Sequence, residues 1–400
     1  MARRQLLLAV DVGSTKAAAL VAEARGDGDV AVLGIAATPA MGVKRGLVVE
    51  AERAAQAVRD AVNRAVSMAG AEPDDVVAAV NGDHVRAARL TPSVDLRGRA
   101  VQVTDLEVLA SRAARTQQDP GRETIRVVRG RYDLDGLPSQ GSPVGLSVHQ
   151  LSVDALCVTG QAQAIRNLRR TLQMAGLSRV HLVPAALAAS EAVLSEDERH
   201  LGVVLLDVGG GTTQVAVWRG GGMAHLAVVP VGSDLITSDL AAGLGVVGAQ
   251  AERLKLERGF LMPDESDGAV IELRPVSGQA AKLVSTNEVA EIVSARLEEW
   301  QALVEDALRE ITWTKGPPGG VVLSGGGCQL KGLGTRIQAA WGWPVRVASP
   351  QGLVGLSELV RSPGHATVAG LAKIGLSDGL GTGRETFWSR IAQGWFRTWS

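Results

Sequence analysis

The chain has 400 residues, a formal net charge of −1, 46% hydrophobic residues and only 3% aromatics. That length supports two or more cores, and neither the charge nor any basic-aromatic interleaving points to nucleic acid. The two cysteines, Cys157 and Cys328, and the six scattered histidines offer no metal-ligand spacing, and no apolar run reaches the 18 residues that cross a bilayer.

Arg3-Arg4 precedes the apolar run Leu6–Val10, which is too short for a secretion signal and is ended by Asp11. Leu6–Ala24 and Val30–Ile35 read as the first strands. Within them, Leu8–Val21 is LAVDVGSTKAAALV. The Leu, Val and Ala residues before Asp11 do not alternate with polar ones, as expected of a strand buried on both faces. Such a strand carries Asp11 to its end, where the sheet opens onto solvent and a lone acid can hold hydrated Mg²⁺. Gly13, Ser14 and Thr15 then form a turn. Glycine lets backbone N–H groups approach an anion, the hydroxyls add donors, and Lys16 adds a compact charge for a terminal phosphate. No GxxxxGK[ST] spacing is present, so this is not a P-loop.

A helix over Glu50–Ala69 follows, then a strand over Val76–Val80 that leads into Asn81-Gly82-Asp83. His84–Gly160 mixes short strands with a helical piece, Thr104–Arg115. Gln161–Ala175 reads as helix, and Pro184–Leu194 as an Ala-rich helix suited to close contact.

The first motif then returns. Leu205–Trp218 reads LLDVGGGTTQVAVW, with Asp207 followed by Gly209, Gly210, Gly211, Thr212 and Thr213. Asp207 lies 196 residues after Asp11, about half the chain. The repeat predicts two related halves, each offering a phosphate-binding hairpin to a shared cleft. Gly243–Gly248 spells GxGxxG, but helical residues Ser238–Ala242 precede it rather than a strand. It is therefore a loop and not a dinucleotide fingerprint. In Ala251–Lys255, Glu252 and Lys255 share a helical face and could reach a ribose or adenine. Thr286–Ile311 places Val289, Ile292, Val293, Leu297, Trp300 and Val304 at helical spacing. Val321–Leu333 supplies a third cluster: a buried strand, Ser324, then Gly325, Gly326 and Gly327, against which a flat base and ribose could lie.

The end of the chain changes character. Ser377–Gly383 has the composition of a flexible linker. In Arg384–Ser400, helical projection gathers Phe387, Trp388, Ile391, Ala392, Trp395 and Trp399 on one face and Arg390, Gln393 and Arg397 on the other, with Phe396 at the margin. Trp at a lipid boundary with Arg toward headgroups describes an in-plane amphipathic helix. Gly394 lowers helix propensity by up to ~1 kcal/mol, so the helix is expected to form on the bilayer.

Seven stretches, in this order, resemble the actin-like ATPase superfamily and within it the bacterial cell-division FtsA family. They are AVDVGSTKAAALVAE near the start, NGDHV at 81–85, SPVGLSVHQLSVDALCVTG at 142–160, PAALAASEAVLSEDERHLGVVLLDVGGGTTQVAVW at 184–218, AERLKLERG at 251–259, VVLSGGGCQLKGL at 321–333 and the aromatic tail. The likeness spans nearly the whole chain. It weakens over Asp95–Asp135 and Leu261–Lys282, and Cys328 stands where a small or polar residue is usual.

The resemblance implies an α/β, actin-like two-lobed ATPase fold of duplicated RNase H-like domains. The first lobe would comprise 1–83 and 161–200, with an inserted subdomain at 84–160. The second lobe would comprise 201–255 and 320–376, with a further subdomain at 256–319. A linker (377–383) and a membrane-targeting helix (384–400) would follow. It further implies ATP and Mg²⁺ between the lobes at Asp11 and Asp207, with Asp207 positioning metal and water for at most slow hydrolysis. Self-assembly on the cytoplasmic membrane face is implied, together with anchoring of FtsZ polymers and contact with other division proteins. The FtsZ C-terminal peptide would dock on the 256–319 subdomain, where Arg296 and Glu299 match charged positions of the family's helix. Two alternatives share the fold: a type IV pilus assembly ATPase and a small-molecule kinase. The aromatic tail favours the cell-division reading.

Overall fold

In the computed structural model, which describes residues 6–25, 29–116, 119–139, 141–258, 268–274 and 281–379, the non-alternating runs become strands buried on both faces. Leu6–Val12 pairs antiparallel with Lys16–Ala24, which pairs antiparallel with Val30–Pro39. On its other side Leu6–Val12 lies parallel to Asp75–Val80, which is parallel to Val180–Pro184. The spatial order is thus third, second, first, fourth, fifth. A second sheet repeats this order and these directions with Gly222–Val229, Thr213–Arg219, Val203–Val208, Val321–Ser324 and Val345–Val347.

The two hairpins also match in register. Val12 faces Ala17 and Val208 faces Thr213. The Gly13 N–H donates to the Lys16 carbonyl at 3.0 Å, and the Gly209 N–H to the Thr212 carbonyl at 2.9 Å. Lys16 and Thr212 therefore occupy equivalent positions. Helix Ala51–Ala69 covers the first sheet with a stripe of Ala54, Ala55, Val58, Ala61, Val62 and Ala65. The approach is so close that a Cβ on Gly34 would lie 2.1 Å from the Ala65 carbonyl oxygen.

Between the fourth and fifth strands of the first sheet, the chain leaves to build an inserted subdomain. Strands Arg86–Leu90, Arg122–Leu134 and Gln150–Gln161 form its antiparallel sheet, and helix Val103–Thr116 completes a separate core around Leu106, Leu109, Leu151 and Val153. The chain returns through helix Ala162–Met174. Helix Ala185–Val193 then links the lobes, with every residue buried except Glu191.

The stretch expected to complete the second lobe, 320–376, divides between both lobes. Its first strands close the second sheet, but Leu353–Gly355 adds in parallel to the edge of the first sheet beside Val30–Pro39. Helix Ala366–Ser377 packs on Leu6–Val12 and on Ala185–Val193, inside the first core. Small residues make this possible, since a Cβ on Gly370 would lie 1.6 Å from the Ala188 carbonyl oxygen. The helix runs through Ser377, and Asp378 pairs with Arg126 of the insert at 2.9 Å. The first residues of the expected linker thus belong to the fold.

Thr286–Ala307 is one long helix capped by Ser285, whose Oγ accepts from the Glu288 N–H at 3.2 Å. It ends four residues before the expected Ile311. In the GxGxxG stretch, Gly243 lies in helix Ser233–Leu244, Gly245 caps that helix at φ 67°, and Gly248 starts helix Gly248–Arg258.

Candidate functional site

The two turns meet across a cavity of about 280 Å³. Asp11, Gly13, Ser14, Thr15 and Lys16 line one side, and Asp207, Gly209, Gly210, Gly211 and Thr212 the other. Glu252 and Lys255 reach it from helix Gly248–Arg258, and Gly325, Gly326 and Gly327 follow the strand Val321–Ser324 into it. The turns interlock. A Cβ on Gly210 would lie 1.8 Å from Thr15 Oγ1, and one on Gly211 would lie 2.5 Å from Ser14 Oγ. Gly325, at φ 81°, passes so close to the second hairpin that a Cβ would lie 2.3 Å from the Val208 carbonyl oxygen.

Thr213 does not line the cavity. It is already the first residue of a strand, where successive side chains take opposite faces. Thr212 and Gln214 therefore face the cleft, and Thr213 faces the core. There its hydroxyl donates to the Val231 carbonyl at 2.8 Å and accepts from the Trp300 indole N–H at 2.8 Å.

Each carboxylate is held from the end of its fourth strand. Asn81 Nδ2 donates to Asp11 Oδ1 at 3.1 Å. Ser324 Oγ donates to Asp207 Oδ1 at 2.7 Å, and Thr367 Oγ1 to Asp207 Oδ2 at 3.3 Å. Burial, and after it the Asp207 charge, pushes the Asp11 carboxyl up to about 6. Burial also raises Asp207, against the hydrogen bonds from Ser324 and Thr367. Lys16 feels both carboxylates, while burial lowers its own pKa. Among the described residues it closes an ion pair with neither acid. Two acids and one cation thus face a common space with unspent charge. Cys328 lies behind the cleft, and burial and the Asp207 charge push its thiol up to about 12, which keeps it unreactive.

Lys255 is buried, not a loose surface cation. It pairs with Glu252 at 2.8 Å and donates to the Ser233 carbonyl at 3.2 Å and to Thr237 Oγ1 at 3.0 Å. Asp234, unmarked by any sequence pattern, accepts from Thr15 Oγ1 at 3.2 Å across the cleft mouth, and burial raises its pKa. Asn81, Gln214, Asp234, Ser324 and Thr367 are among the residues that sequence reasoning did not place in the site. A search for polar residues ending the fourth strand of each half would have found Asn81 and Ser324.

Arg296 and Glu299 lie away from the cleft, with Asp239 and Ile292, around a shallow surface depression. Arg296 grips Asp239 in a fork (Nε to Oδ2 at 2.5 Å, Nη2 to Oδ1 at 2.9 Å) and also pairs with Glu299. The tail residues Phe387, Trp388, Arg390, Ile391, Trp395, Phe396, Arg397 and Trp399 lie outside the described residues. Among the described residues, no helix is long and apolar enough to cross a membrane.

Two sheets of one strand order, each ending its first strand in an acid at a shared cleft, define the actin-like two-lobed class. Solved structures with this fold include the PilM–PilN type IV pilus biogenesis complex, at TM-score 0.62 and 18% identity, covering 92% of this chain and 97% of that one. MreB5 of Spiroplasma citri bound to ADP matches at TM-score 0.55 and 13% identity, over 93% and 96% of the two chains.

Within that class the chain belongs to the FtsA family of bacterial cell-division proteins. The profile "Cell division protein FtsA" matches 204–370, and "SHS2 domain inserted in FTSA" matches 82–159, which is the inserted subdomain. Cell division protein FtsA of Pseudomonas aeruginosa is 30% identical over 380 residues, covering 94% of this chain and 91% of that protein. The Neisseria meningitidis relative is 31% identical over 371 residues, covering 92% and 90%. The chain is thus an actin-like cell-division protein. The pilus likeness is one of fold alone.

Proposed function

We propose that the cleft binds ATP with Mg²⁺ and that nucleotide binding selects the shape in which the chain self-assembles and anchors FtsZ polymers at the cytoplasmic membrane face. The observation that carries this reading is the pair of opposed acids, Asp11 and Asp207, with Lys16 between them and an anion-accepting turn on each side. Gly13–Lys16 and Gly209–Thr212 would surround the phosphates with backbone donors. Lys16 would meet a terminal phosphate. The raised carboxyls fit a divalent cation held largely through water, since a cation would relieve the charge that burial penalises. Glu252 and Lys255 would face the ribose or base from one side and Gly325–Gly327 from the other. Closure of the lobes would follow from tighter binding to the closed state. Hydrolysis would be slow at most, with Asp207 ordering water through the bound metal ion.

The FtsZ C-terminal peptide would dock on the subdomain carrying helix Thr286–Ala307, near Arg296 and Glu299. The residues 384–400 would lie in the membrane interface, and assembly would multiply weak single attachments into firm ones.

Liposome co-sedimentation with and without ATP and FtsZ tests these parts together. The intact chain should pellet with anionic liposomes and carry FtsZ down, and deletion of Arg384–Ser400 should abolish both. Retained liposome binding after the deletion would refute the anchor. Asp207→Ala should weaken nucleotide binding, and a normal ATP titration of that variant would refute the cleft assignment.

A further inference from the structure

The inserted subdomain joins the first lobe through two chain crossings and packs on strand Gly222–Val229 of the second sheet, and one knot of polar groups clamps both crossings. The chain leaves the first lobe at Asn81–Val85 and returns at Thr159–Gln161. Arg122, the first residue of the insert's long strand, spans the gap. Its Nη2 donates to the His84 carbonyl at 2.7 Å on the outgoing crossing. Its Nε and Nη2 donate to Thr159 Oγ1 at 2.9 Å and to the Thr159 carbonyl at 3.0 Å on the returning one. The buried His84 ring lies between the crossings, its Nδ1 accepting from the Gln161 N–H at 3.2 Å. Its other side hydrogen-bonds the Asn81 backbone. Glycines make room for this ring. A Cβ on Gly160 would lie 3.0 Å from Nδ1, and one on Gly82 would lie 3.0 Å from Cδ2.

The knot continues into the cleft. Asn81 donates its side-chain amide to Asp11. A second thread runs beside it, because the Gly46 N–H donates to Ser14 Oγ at 3.0 Å and Gly46 packs on Gly82, where a Cβ would lie 2.6 Å from the Gly82 nitrogen. Two residues of the first turn, Asp11 and Ser14, therefore reach the insert's neck through one or two contacts.

We propose that His84 and Arg122 are positioning residues that couple the cleft to the inserted subdomain. Nucleotide at Asp11 and Ser14 would draw the Asn81–Val85 loop into one arrangement, and the clamp would pass that arrangement to both crossings. The proposal rests on the nucleotide reading of the cleft. Coupling between two sites is reciprocal. Whatever seizes the insert, including a neighbouring copy of the chain, therefore shifts ATP affinity by the same factor by which ATP shifts its binding. A merely structural clamp would hold the insert equally in both states.

The test is hydrogen exchange of the full chain with and without Mg²⁺-ATP. In the parent, ATP slows exchange of the neck amides, Gln161 above all, by at least roughly fivefold, the low end of ordinary coupling. Arg122→Ala and His84→Ala should bind ATP yet lose that nucleotide-dependent change in the insert. Arg122→Lys, which keeps the charge but cannot span both crossings, should retain only part of it. Unchanged exchange in the Val203–Val208 strand certifies that each variant is folded. Two results overturn the coupling: an ATP response in the insert of Arg122→Ala as large as in the parent, or a parent whose cleft amides respond while its neck amides do not. If the parent binds no ATP, the cleft reading fails by itself. The clamp is then judged by Asp11→Ala, which should speed Gln161 exchange by roughly fivefold; unchanged exchange there overturns it.

Discussion

The two hairpins share one backbone and differ in the side chains that face each other. The first turn carries Ser14 and Thr15, whereas the second carries Gly210 and Gly211 at the same places. Two copies of the first turn would collide, since Thr15 Oγ1 already occupies the space of a Gly210 Cβ. Two copies of the second would leave a gap and lose the Ser14 and Thr15 hydroxyls. Charge is divided in the same way. Lys16 takes the place of the neutral Thr212, so one turn is cationic and the other neutral. The duplication therefore kept what each half needs alone, a strand ending in an acid. It diverged where the halves touch.

The largest expected effect breaks the matching acids. The Asp11 carboxyl titrates near 6 in the fold against 3.8 in the unfolded chain. The folded state then binds the extra proton, so the contribution of Asp11 to stability is full below about pH 4 and is lost as pH rises through 6. At 1.36 kcal/mol per pH unit this amounts to up to about 3 kcal/mol at neutral pH. Asp11→Asn should be more stable than the parent by up to that amount in denaturant titrations at pH 7.5 with chelator and no nucleotide. The difference should vanish near pH 4. Equal stability at pH 7.5 would remove the idea of opposed, unrelieved charge.

Making the turns alike in charge comes next. Lys16→Thr copies the second hairpin into the first and should weaken ATP binding by roughly 10- to 150-fold, the worth of a charge-assisted contact of about 1.5–3 kcal/mol. Thr212→Lys, in the mirror direction, should not restore it in the double variant, because the cation would then sit on the wrong lobe. Full rescue in nucleotide titrations would show the two sides to be interchangeable.

Gly210→Ala tests the interlock. The new methyl must displace Thr15 or Asp234, an overpacking cost of roughly 1–3 kcal/mol, read as a lower melting temperature together with weaker nucleotide binding. Thr213→Val should separate those two readouts. It leaves the Trp300 N–H and the Val231 carbonyl without their partner, at roughly 1–3 kcal/mol of stability, yet should move ATP affinity by less than about threefold at standard precision. A large affinity loss would put Thr213 back in the cleft.

The hairpins were legible because their chemistry is local: an apolar run, an acid and glycines within a dozen residues. Thr213 misled because the turn ends one residue earlier than the run of Thr suggests. Strand alternation then handed its expected place to Gln214. Asp234 and Thr367 come from separate segments and meet the hairpins only when the chain folds, so no local pattern marks them. Glu252 and Lys255 were marked only by a shared helical face, and the packing of helix Gly248–Arg258 on Ser233–Leu244 is what buries Lys255. The division of 320–376 between the lobes was hidden for the same reason. An apolar helix such as Ala366–Ser377 carries no signal of which sheet it will cover.

That last helix has a mechanical consequence. It ends in the first lobe, and Asp378 is bolted to Arg126 of the insert. Any tension entering through the chain beyond Gly379 is therefore borne by the half that also carries the insert. The other half meets this load path through Thr367 at Asp207, through the packed linking helix, and where strand Gly222–Val229 packs on the insert's Arg86–Leu90 and Arg122–Leu134. A pull on the chain end would therefore load the first half and the insert before it reached the second half.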